Sequence, residues 1–215
     1  MVSVADSVVQ SEQRFALGGI SWDFYLRCCD ELEGSRTRVT YNDGKLEFMV
    51  THSPHEFYKT MLAKLVEMML FQQRRSVRSG GSLTIRRTDL EKGFQPDECW
   101  WIEHEPELRG KSDLDFTVDP APDLAVEIEI TSSLANRVGI YAAIGVPEIW
   151  RFDGKTLRFC SLQSDGTYTD ESTSACFEGL RPADLVPYLD LFDTRDETQR
   201  LHAFVQWFQE ERSRS

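Results

Sequence analysis

The stretch AVEIEITSSLANRVGIYAAIGVPEIWRF, residues 125–152, determines the predicted fold. Its first six residues alternate aliphatic and acidic side chains, which is typical of a β-strand. The TSS segment offers helix N-cap candidates, LANRVGIYAAI has helical spacing up to Gly145, and VPEIWRF is typical of another strand. This order predicts a β-α-β unit with a right-handed crossover and two parallel strands in one sheet.

Two glutamates on the first of these strands raise the question of function. Glu127 and Glu129 stand two residues apart, so we expect both carboxylates on one face of the strand. At a separation of roughly 6.5–7 Å they are near enough to bind one cation, and near enough to repel each other without one. A solvent-exposed strand face explains the same pattern, so both interpretations stay open.

The flanking sequence predicts further elements of a mixed α/β fold. One helix is expected to begin after Ser21, and a second helix is expected to begin at Ser53 and Pro54. Asn-Asp-Gly at residues 42–44 predicts a hairpin over residues 37–51. Residues 104–121 are polar and predict a long loop. Further strands are predicted for SLTIRR, GFQPDECWWIE, KTLRFCSL and GTYTDES.

The length and composition predict one globular domain with an appendage. The chain has 215 residues, of which 40% are hydrophobic. We expect a flexible tail at residues 1–15, a domain with a mixed central β-sheet flanked by helices at residues 16–175, and a helical extension at residues 176–215 that packs on the same domain. The fold class is therefore α/β (α+β).

Several classes of protein find no support in the sequence. Five cysteines without a CxxC pair indicate neither a disulfide framework nor a zinc site. No run approaches the roughly 20 apolar residues of a membrane span, and the N-terminus lacks signal-peptide features, so we expect a cytoplasmic protein without a membrane partner. Motifs of serine hydrolases, P-loop proteins, dinucleotide-binding proteins and zinc proteases do not occur.

The charge is acidic overall but uneven. A net charge of −12 disfavours a protein that coats nucleic acid non-specifically. The segment from Arg74 to Lys92 nevertheless has six basic and two acidic residues, a local net charge of +4. This segment either contacts phosphate or forms a solvated loop that offsets the acidic surface. The candidate nucleic-acid contacts in it are Arg74, Arg75, Arg78, Arg86 and Arg87.

A third acid completes a possible metal site. Asp97 follows Pro96 at the start of a predicted strand, about thirty residues before Glu127. Asp97, Glu127 and Glu129 on neighbouring strands would offer the oxygen ligands that Mg²⁺ prefers, and a bound water could then attack a phosphodiester.

The chain resembles the PD-(D/E)XK phosphodiesterase superfamily, and within it a bacterial family of uncharacterised restriction-endonuclease-like proteins. The resemblance is carried by YNDGKLEFMVTHSPHEF, GFQPDECWW, PDLAVEIEITSS and RVGIYAAIGVPEIWRFD. It implies a restriction-endonuclease-like core, a Mg²⁺ or Mn²⁺ cofactor held by Asp97 and Glu127, and hydrolysis of DNA. We also expect a homodimer.

The sequence departs from the superfamily pattern at the lysine. That position holds Glu129, and the place on the following helix to which relatives displace the lysine, four residues before Tyr141, holds Arg137. Arg137 could clamp a phosphate, but it cannot act as a base; a salt bridge to Glu127 or Glu129 is the alternative. Further candidates by resemblance are Glu47, His55, Glu56 and Tyr141.

Two hypotheses follow for function. The leading one is a Mg²⁺- or Mn²⁺-dependent endonuclease acting on DNA, with Asp97, Glu127 and Glu129 at the metal and Arg137 facing the scissile phosphate. The alternative is a catalytically inactive nuclease-fold module for binding or assembly, which the missing lysine and the acidic surface favour.

Overall fold

The computed structural model describes residues 13–131, 133 and 136–214. The strands are β1 (Gln13–Leu17), β2 (Thr37–Asn42), β3 (Lys45–Val50), β4 (Arg78–Ser79), β5 (Ile85–Arg87), β6 (Lys92–Phe94), β7 (Glu98–Trp101), β8 (Leu124–Ile128), β9 (Glu148–Phe152), β10 (Leu157–Leu162) and β11 (Tyr168–Glu171). The α-helices are α1 (Trp22–Glu31), α2 (Ser53–Gln73), α3 (Glu105–Leu108), α4 (Arg137–Ile144), α5 (Pro182–Leu185) and α6 (Glu197–Arg214).

Within the described residues the strands form two sheets. One is antiparallel, in the order β1-β3-β2-β6-β5, and the other is mixed, in the order β11-β10-β9-β8-β7-β4. The pair β8–β9 is parallel and α4 connects it, so the predicted β-α-β unit and the mixed sheet are confirmed. The β2–β3 hairpin is also confirmed: Asp43 and Gly44 have φ of 48° and 81°, the left-handed conformations of a tight hairpin turn.

Helices cover both faces of the mixed sheet. Val126 of β8 and Trp150 of β9 pack in one core with α2 and α6, where Phe204 of α6 is fully buried. Ala125 and Ile149 face the opposite way and pack with α4. Because side chains alternate along β8, Glu127 lies on the α4 face, where its carboxylate is removed from water.

The C-terminal helix α6 lies beside α2. Lys64 pairs with Glu197 at the start of α6, and Gln209 donates to Gln72 farther along both helices. The predicted extension therefore contributes to the same core as the mixed sheet. Among the described residues, none of the helices combines the length and apolar composition that a membrane crossing requires.

Several predicted boundaries differ from the structure. Strand β1 starts at Gln13, inside the predicted tail 1–15, because it pairs with β3; residues 1–12 of that tail lie outside the described residues. GFQPDECWWIE forms two strands rather than one, with Pro96 between them, because proline has no N–H for a ladder. The predicted loop 104–121 contains the short helix α3.

The helix ends also differ from the predictions. The N-cap of α2 is His52, and Ser53 is its first residue. The N-cap of α4 is Asn136, whose side chain accepts from Gly139 N–H, and not a residue of the TSS segment. Of that segment, Ser132 lies outside the described residues.

Gly93 marks a close approach between β6 and α1. A Cβ at Gly93 would lie 2.2 Å from Oη of the fully buried Tyr25. We therefore expect Gly93→Ala to lower the free energy of unfolding by about 1–3 kcal/mol through overpacking. Urea denaturation measures this loss. Gly18→Ala is the matched control, because a Cβ there meets nothing within 4 Å, and equal midpoints for the two variants would contradict the expectation.

Candidate active site

The two acids that the resemblance singles out lie side by side. Glu98 of β7 pairs with Val126 of β8, and Asp97 stands one residue before this pair while Glu127 stands one residue after it. The Ile128 N–H donates to Asp97 Oδ2 at 2.6 Å. Asp97 is 1% exposed and Glu127 is 5% exposed. The antiparallel register thus brings two carboxylates together in the protein interior.

Asp97 is held by two basic side chains. Arg38 of β2 donates through Nη1 to Asp97 Oδ1, and His55 Nε2 of α2 lies 3.2 Å from the same oxygen. Arg38 Nη1 also contacts the Pro96 carbonyl at 3.4 Å. Both oxygens of Asp97 are therefore engaged, Oδ1 by cations and Oδ2 by the backbone.

Glu127 is held in the same way from the other side. Arg137, the first residue of α4, donates through Nε to Glu127 Oε2 at 3.1 Å and through Nη2 to Oε1 at 2.5 Å. Tyr141, one helical turn later, donates its hydroxyl to Oε1. This is a bidentate guanidinium–carboxylate pair, the geometry that arginine provides and lysine does not.

Arg137 is also fixed by groups outside the acid pair. Its Nη1 donates to Thr40 Oγ1 of β2 at 2.8 Å, and its Nη2 donates to the Gln95 carbonyl at 2.7 Å. The guanidinium carbon lies 5.4 Å from the centre of the Phe94 ring. Arg137 thus forms the salt bridge to Glu127 that the sequence left open as an alternative.

The electrostatics follow from burial and from these partners. Burial disfavours the charge of Asp97, but Arg38 and His55 outweigh it and hold the pKa of Asp97 below its usual range. Burial likewise opposes the charge of His55, but Asp97 outweighs it and raises the pKa of His55 to about 9. Burial raises the pKa of Glu127, and Arg137 opposes that rise. His55 is therefore a cation at neutral pH.

Glu129 does not join the two buried acids. Strand β8 ends at Ile128, and the Glu129 carboxylate accepts from Arg151 Nε at 3.0 Å and Nη2 at 2.9 Å. Arg151 stands opposite Glu127 in the β8–β9 register, so its pairing with Glu129 agrees with the expectation that Glu127 and Glu129 share one face. The binding of one cation by both glutamates stays a prediction. The structure gives Glu129 an ion pair of its own on β9.

The additional acids by resemblance also have separate partners. Glu47 is 1% exposed and accepts from Arg14 at 2.9 Å and from Ser133 at 3.0 Å. Glu56 lies 3.5 Å from His55 Nδ1 and 3.2 Å from Lys59; the hydrogen bond from His55 is the main reason that the pKa of Glu56 falls to about 2. Of the additional candidates, His55 and Tyr141 contact the acid pair directly.

Sequence reasoning missed Arg38. The sequence signal was that Arg38 stands between two β-branched residues in a predicted strand. A charged side chain that is buried in such a strand needs a partner. The partner Asp97 lies 59 residues away, and that pairing depends on how the two sheets meet.

The five arginines of the basic segment are spread over different elements. Arg78 on β4 donates to the carbonyls of Leu108 and Lys111, and Arg87 on β5 forms a bidentate pair with Asp89. Arg74 is the exposed C-cap of α2. Arg75 donates to Glu103 and to the Cys176 carbonyl. Arg86 lies 3.5 Å from Asp30. A role of this segment in nucleic-acid binding stays a prediction.

A polar cleft opens beside Asp97. We call it the Arg38 cleft; it has a volume of about 560 Å³, and Arg36, Arg38, Lys59 and hydroxyl groups line it. Arg36 is exposed, and Lys59 lies 3.2 Å from Glu56 and 3.9 Å from Glu98. Burial raises the pKa of Glu98 to about 7, so part of the nearby acidity is neutralised at physiological pH.

The donor set around the acids does not fit a divalent cation. Asp97, Glu127 and the neighbouring Glu56 supply three negative charges, and Arg38, Arg137 and protonated His55 supply three positive charges. A divalent ion would enter a cluster whose charges are already balanced and would have to displace hydrogen-bonded guanidinium groups. Within the described ranges, no group of three His, Cys, Asp or Glu side chains is placed to hold a metal.

The raised pKa of His55 predicts a pH-dependent stability. A base whose folded pKa lies above its ordinary value of 6.5 stabilises the fold below about pH 6.5, and this contribution is lost as the pH rises through about 9. We expect a loss of at most about 3 kcal/mol between pH 6.5 and 9.5, measured by urea denaturation. His55→Asn should reduce this loss, and the exposed His202→Asn should not. Parallel pH profiles of the wild type and His55→Asn would contradict the assignment.

The Arg137–Glu127 pair predicts that removing one partner lowers the stability much more than removing both. Arg137→Ala leaves the carboxylate of Glu127 buried without its counter-ion, so we expect a loss of about 3–5 kcal/mol in unfolding free energy. The double variant Arg137→Met with Glu127→Leu should recover much of this loss, because neither charge then remains. Arg181→Ala, at an exposed pair with Asp184, should cost far less stability. Equal losses of stability for Arg137→Ala and Arg181→Ala, measured by thermal and urea denaturation, would contradict the prediction.

Comparison with known proteins supports the fold and the family. The Uma2 family, described as "Putative restriction endonuclease", matches residues 22–192. The chain is similar to a crystal structure described as "a putative nuclease belonging to DUF820" from Anabaena variabilis, with 18% identity and a TM-score of 0.50 over 71% of this chain and 91% of that chain. At this identity the similarity shows the fold alone. Comparison with curated proteins gives no match.

These comparisons confirm the resemblance that the PD and GVPEIW segments indicated, and they confirm the predicted fold class. The family match extends from the start of α1 to the segment before α6, well over half of the chain. The chain therefore belongs to the Uma2 family of restriction-endonuclease-like proteins.

Proposed function

We propose that this chain is a nuclease-fold protein that binds nucleic acid through phosphate contacts and does not cleave it by metal-dependent hydrolysis. One observation carries the proposal: the acid pair is surrounded by three positive charges from Arg38, Arg137 and His55. Carboxylates compensated in this way stabilise the fold, and they do not leave a net negative site for a divalent cation.

The Arg38 cleft supports the binding part of the proposal. Arg36, which precedes β2, and Lys59 of α2 line a cavity of about 560 Å³, alongside the hydroxyls of Ser35, Thr37 and Ser53. Glu56 also lines it and lies 3.2 Å from Lys59. Cationic and hydroxyl groups are the side chains that contact phosphate oxygens. Because the chain has a net charge of −12, we expect the nucleic-acid backbone to bind at this cleft and the affinity to fall steeply as the salt concentration rises.

A Mg²⁺- or Mn²⁺-dependent endonuclease acting on DNA is the second candidate. One observation favours it: Asp97 and Glu127 are adjacent and buried on neighbouring strands, as the resemblance requires of two metal-binding acids. In this candidate Arg137 would face the scissile phosphate. Arg137 would then need to leave Glu127, its partner in the structure.

One assay separates the two candidates. The protein is incubated at low salt with supercoiled plasmid, single-stranded DNA and RNA, in Mg²⁺, Mn²⁺ or chelator. We expect intact nucleic acid in every arm, and fluorescence anisotropy should give the same affinity with metal and with chelator. Metal-dependent cleavage that Asp97→Asn abolishes would overturn the proposal in favour of the endonuclease. Binding to none of the three nucleic acids would reject the binding function.

A pair of charge reversals locates the binding surface. Arg36→Glu with Lys59→Glu alters the Arg38 cleft, whereas Arg86→Glu with Arg87→Glu alters the basic segment, and both change the net charge by the same amount. We expect the cleft variant to lose about tenfold or more in affinity and to show a flatter salt dependence. The opposite result would assign binding to the segment from Arg74 to Lys92.

The proposal includes a cytoplasmic location and a homodimer, as expected from the sequence. Light scattering during gel filtration measures the mass in solution, for which one chain contributes 24.8 kDa. A single species of twice that mass is the expected result, and a monomer at all concentrations would contradict it.

A further inference from the structure

A second polar cavity lies on the other side of Arg137, apart from the Arg38 cleft. We call it the Arg158 cavity; it has a volume of about 450 Å³ at the N-terminus of α4 and the ends of β8 and β9. Its charged lining residues are the bases Arg137, Arg151 and Arg158 and the acids Glu129 and Asp153. Arg137 is paired with Glu127, so the other basic side chains that could contact a ligand are Arg151 on β9 and Arg158 on β10.

The two remaining arginines stand directly opposite each other. Arg158 pairs with Arg151 in the antiparallel register of β10 and β9, and both side chains line the same cavity. Like charges directly opposite each other on a sheet destabilise it. Places where a chain violates such a rule are often functional, because an external ligand can supply the missing compensation.

The acids nearby compensate this pair only in part. Arg151 uses Nε and Nη2 for its bidentate pair with Glu129, which leaves its Nη1 group. Arg158 has a looser partner, since its Nη2 lies 4.0 Å from Asp153 Oδ2. Its Nε is buried and has no hydrogen-bond partner within the part of the chain that the structure describes. Among the described residues, Arg158 therefore makes one loose ion pair and no side-chain hydrogen bond.

The N-terminus of α4 adds a second source of positive potential. Asn136 and Val138 line the cavity, and Asn136 accepts from Gly139, which leaves other N–H groups of the first turn without an intrahelical acceptor. A helix N-terminus favours a negative charge in front of it. The helix thus acts together with the two arginines.

We propose that the Arg158 cavity binds a dianionic phosphate, either as inorganic phosphate or as the terminal phosphate of a nucleotide or nucleic acid. Arg158 and the N-terminus of α4 supply positive potential for a phosphate monoester, and the terminal nitrogens of Arg158 match the spacing of two of its oxygens. The site does not depend on the nucleic-acid binding proposed for the Arg38 cleft. Its ligand is the terminal dianion rather than the monoanionic diester of a nucleic-acid backbone.

Calorimetric titration with inorganic phosphate at pH 8 and constant ionic strength tests the site. We expect saturable binding to the wild type, at least about tenfold weaker binding to Arg158→Gln, and weaker binding to Arg158→Lys, which keeps the charge but loses the fork. Arg181→Gln, an exposed arginine on the N-cap of α5, should bind as the wild type does. Phosphate should also raise the melting temperature of the wild type more than that of Arg158→Lys, a readout that requires only a folded variant.

Two further arms distinguish the sources of the phosphate. A 5′-phosphorylated oligonucleotide that competes with inorganic phosphate better than its unphosphorylated form would identify a nucleic-acid terminus, whereas equal competition would identify free phosphate. Dimethyl phosphate, a monoanionic diester, should not compete. The proposal is overturned if the wild type shows no saturable phosphate binding, if Arg158→Gln binds phosphate like the wild type, or if dimethyl phosphate competes equally. None of these outcomes depends on whether the Arg38 cleft binds nucleic acid.

Discussion

The rest of the structure depends on the pairing of Arg137 with Glu127. Glu127 lies on a strand face that α4 covers, and an isolated carboxylate buried there would be strongly destabilising. Arg137 neutralises it and also contacts Thr40 of β2, the Gln95 carbonyl and the Phe94 ring. One guanidinium therefore joins α4 to both sheets, so the position of the helix, the junction of the sheets and the protonation of the site are coupled.

The acid pair lies where the two sheets meet. Arg38 reaches it from β2 of the antiparallel sheet, and His55 reaches it from the first turn of α2. Each contact adds a positive charge to a region that two carboxylates would otherwise make negative. The constellation that a nuclease would use for a metal is thus occupied by the side chains that hold the fold together. Fold and family agree with a nuclease, while the charge of the cluster favours a binding protein.

The sequence predicted the features that depend on local patterns. Alternation in AVEIEI, the helical spacing before Gly145 and the turn at residues 42–44 are short-range signals, and the structure confirms the elements they predicted. The ion pair of Glu129 with Arg151 was not predicted, because it depends on the pairing of β8 with β9, which local alternation does not reveal. Arg38 was missed because its partner is distant in sequence. The choice between a clamp and a salt bridge for Arg137 required the three-dimensional distances to Glu127.

The acidic net charge of the chain limits where an anion can bind. A net charge of −12 repels a polyanion at long range, so phosphate can bind only where positive side chains converge within a few ångströms. Among the described residues, the Arg38 cleft and the Arg158 cavity are two such places, and they share no lining residue. Arg137 lines the second cavity and forms part of the wall between it and the acids. Removing the charge of Arg137 would therefore unbalance Glu127 and lower the positive potential of the Arg158 cavity at the same time, which links the stability of the core to the affinity for phosphate.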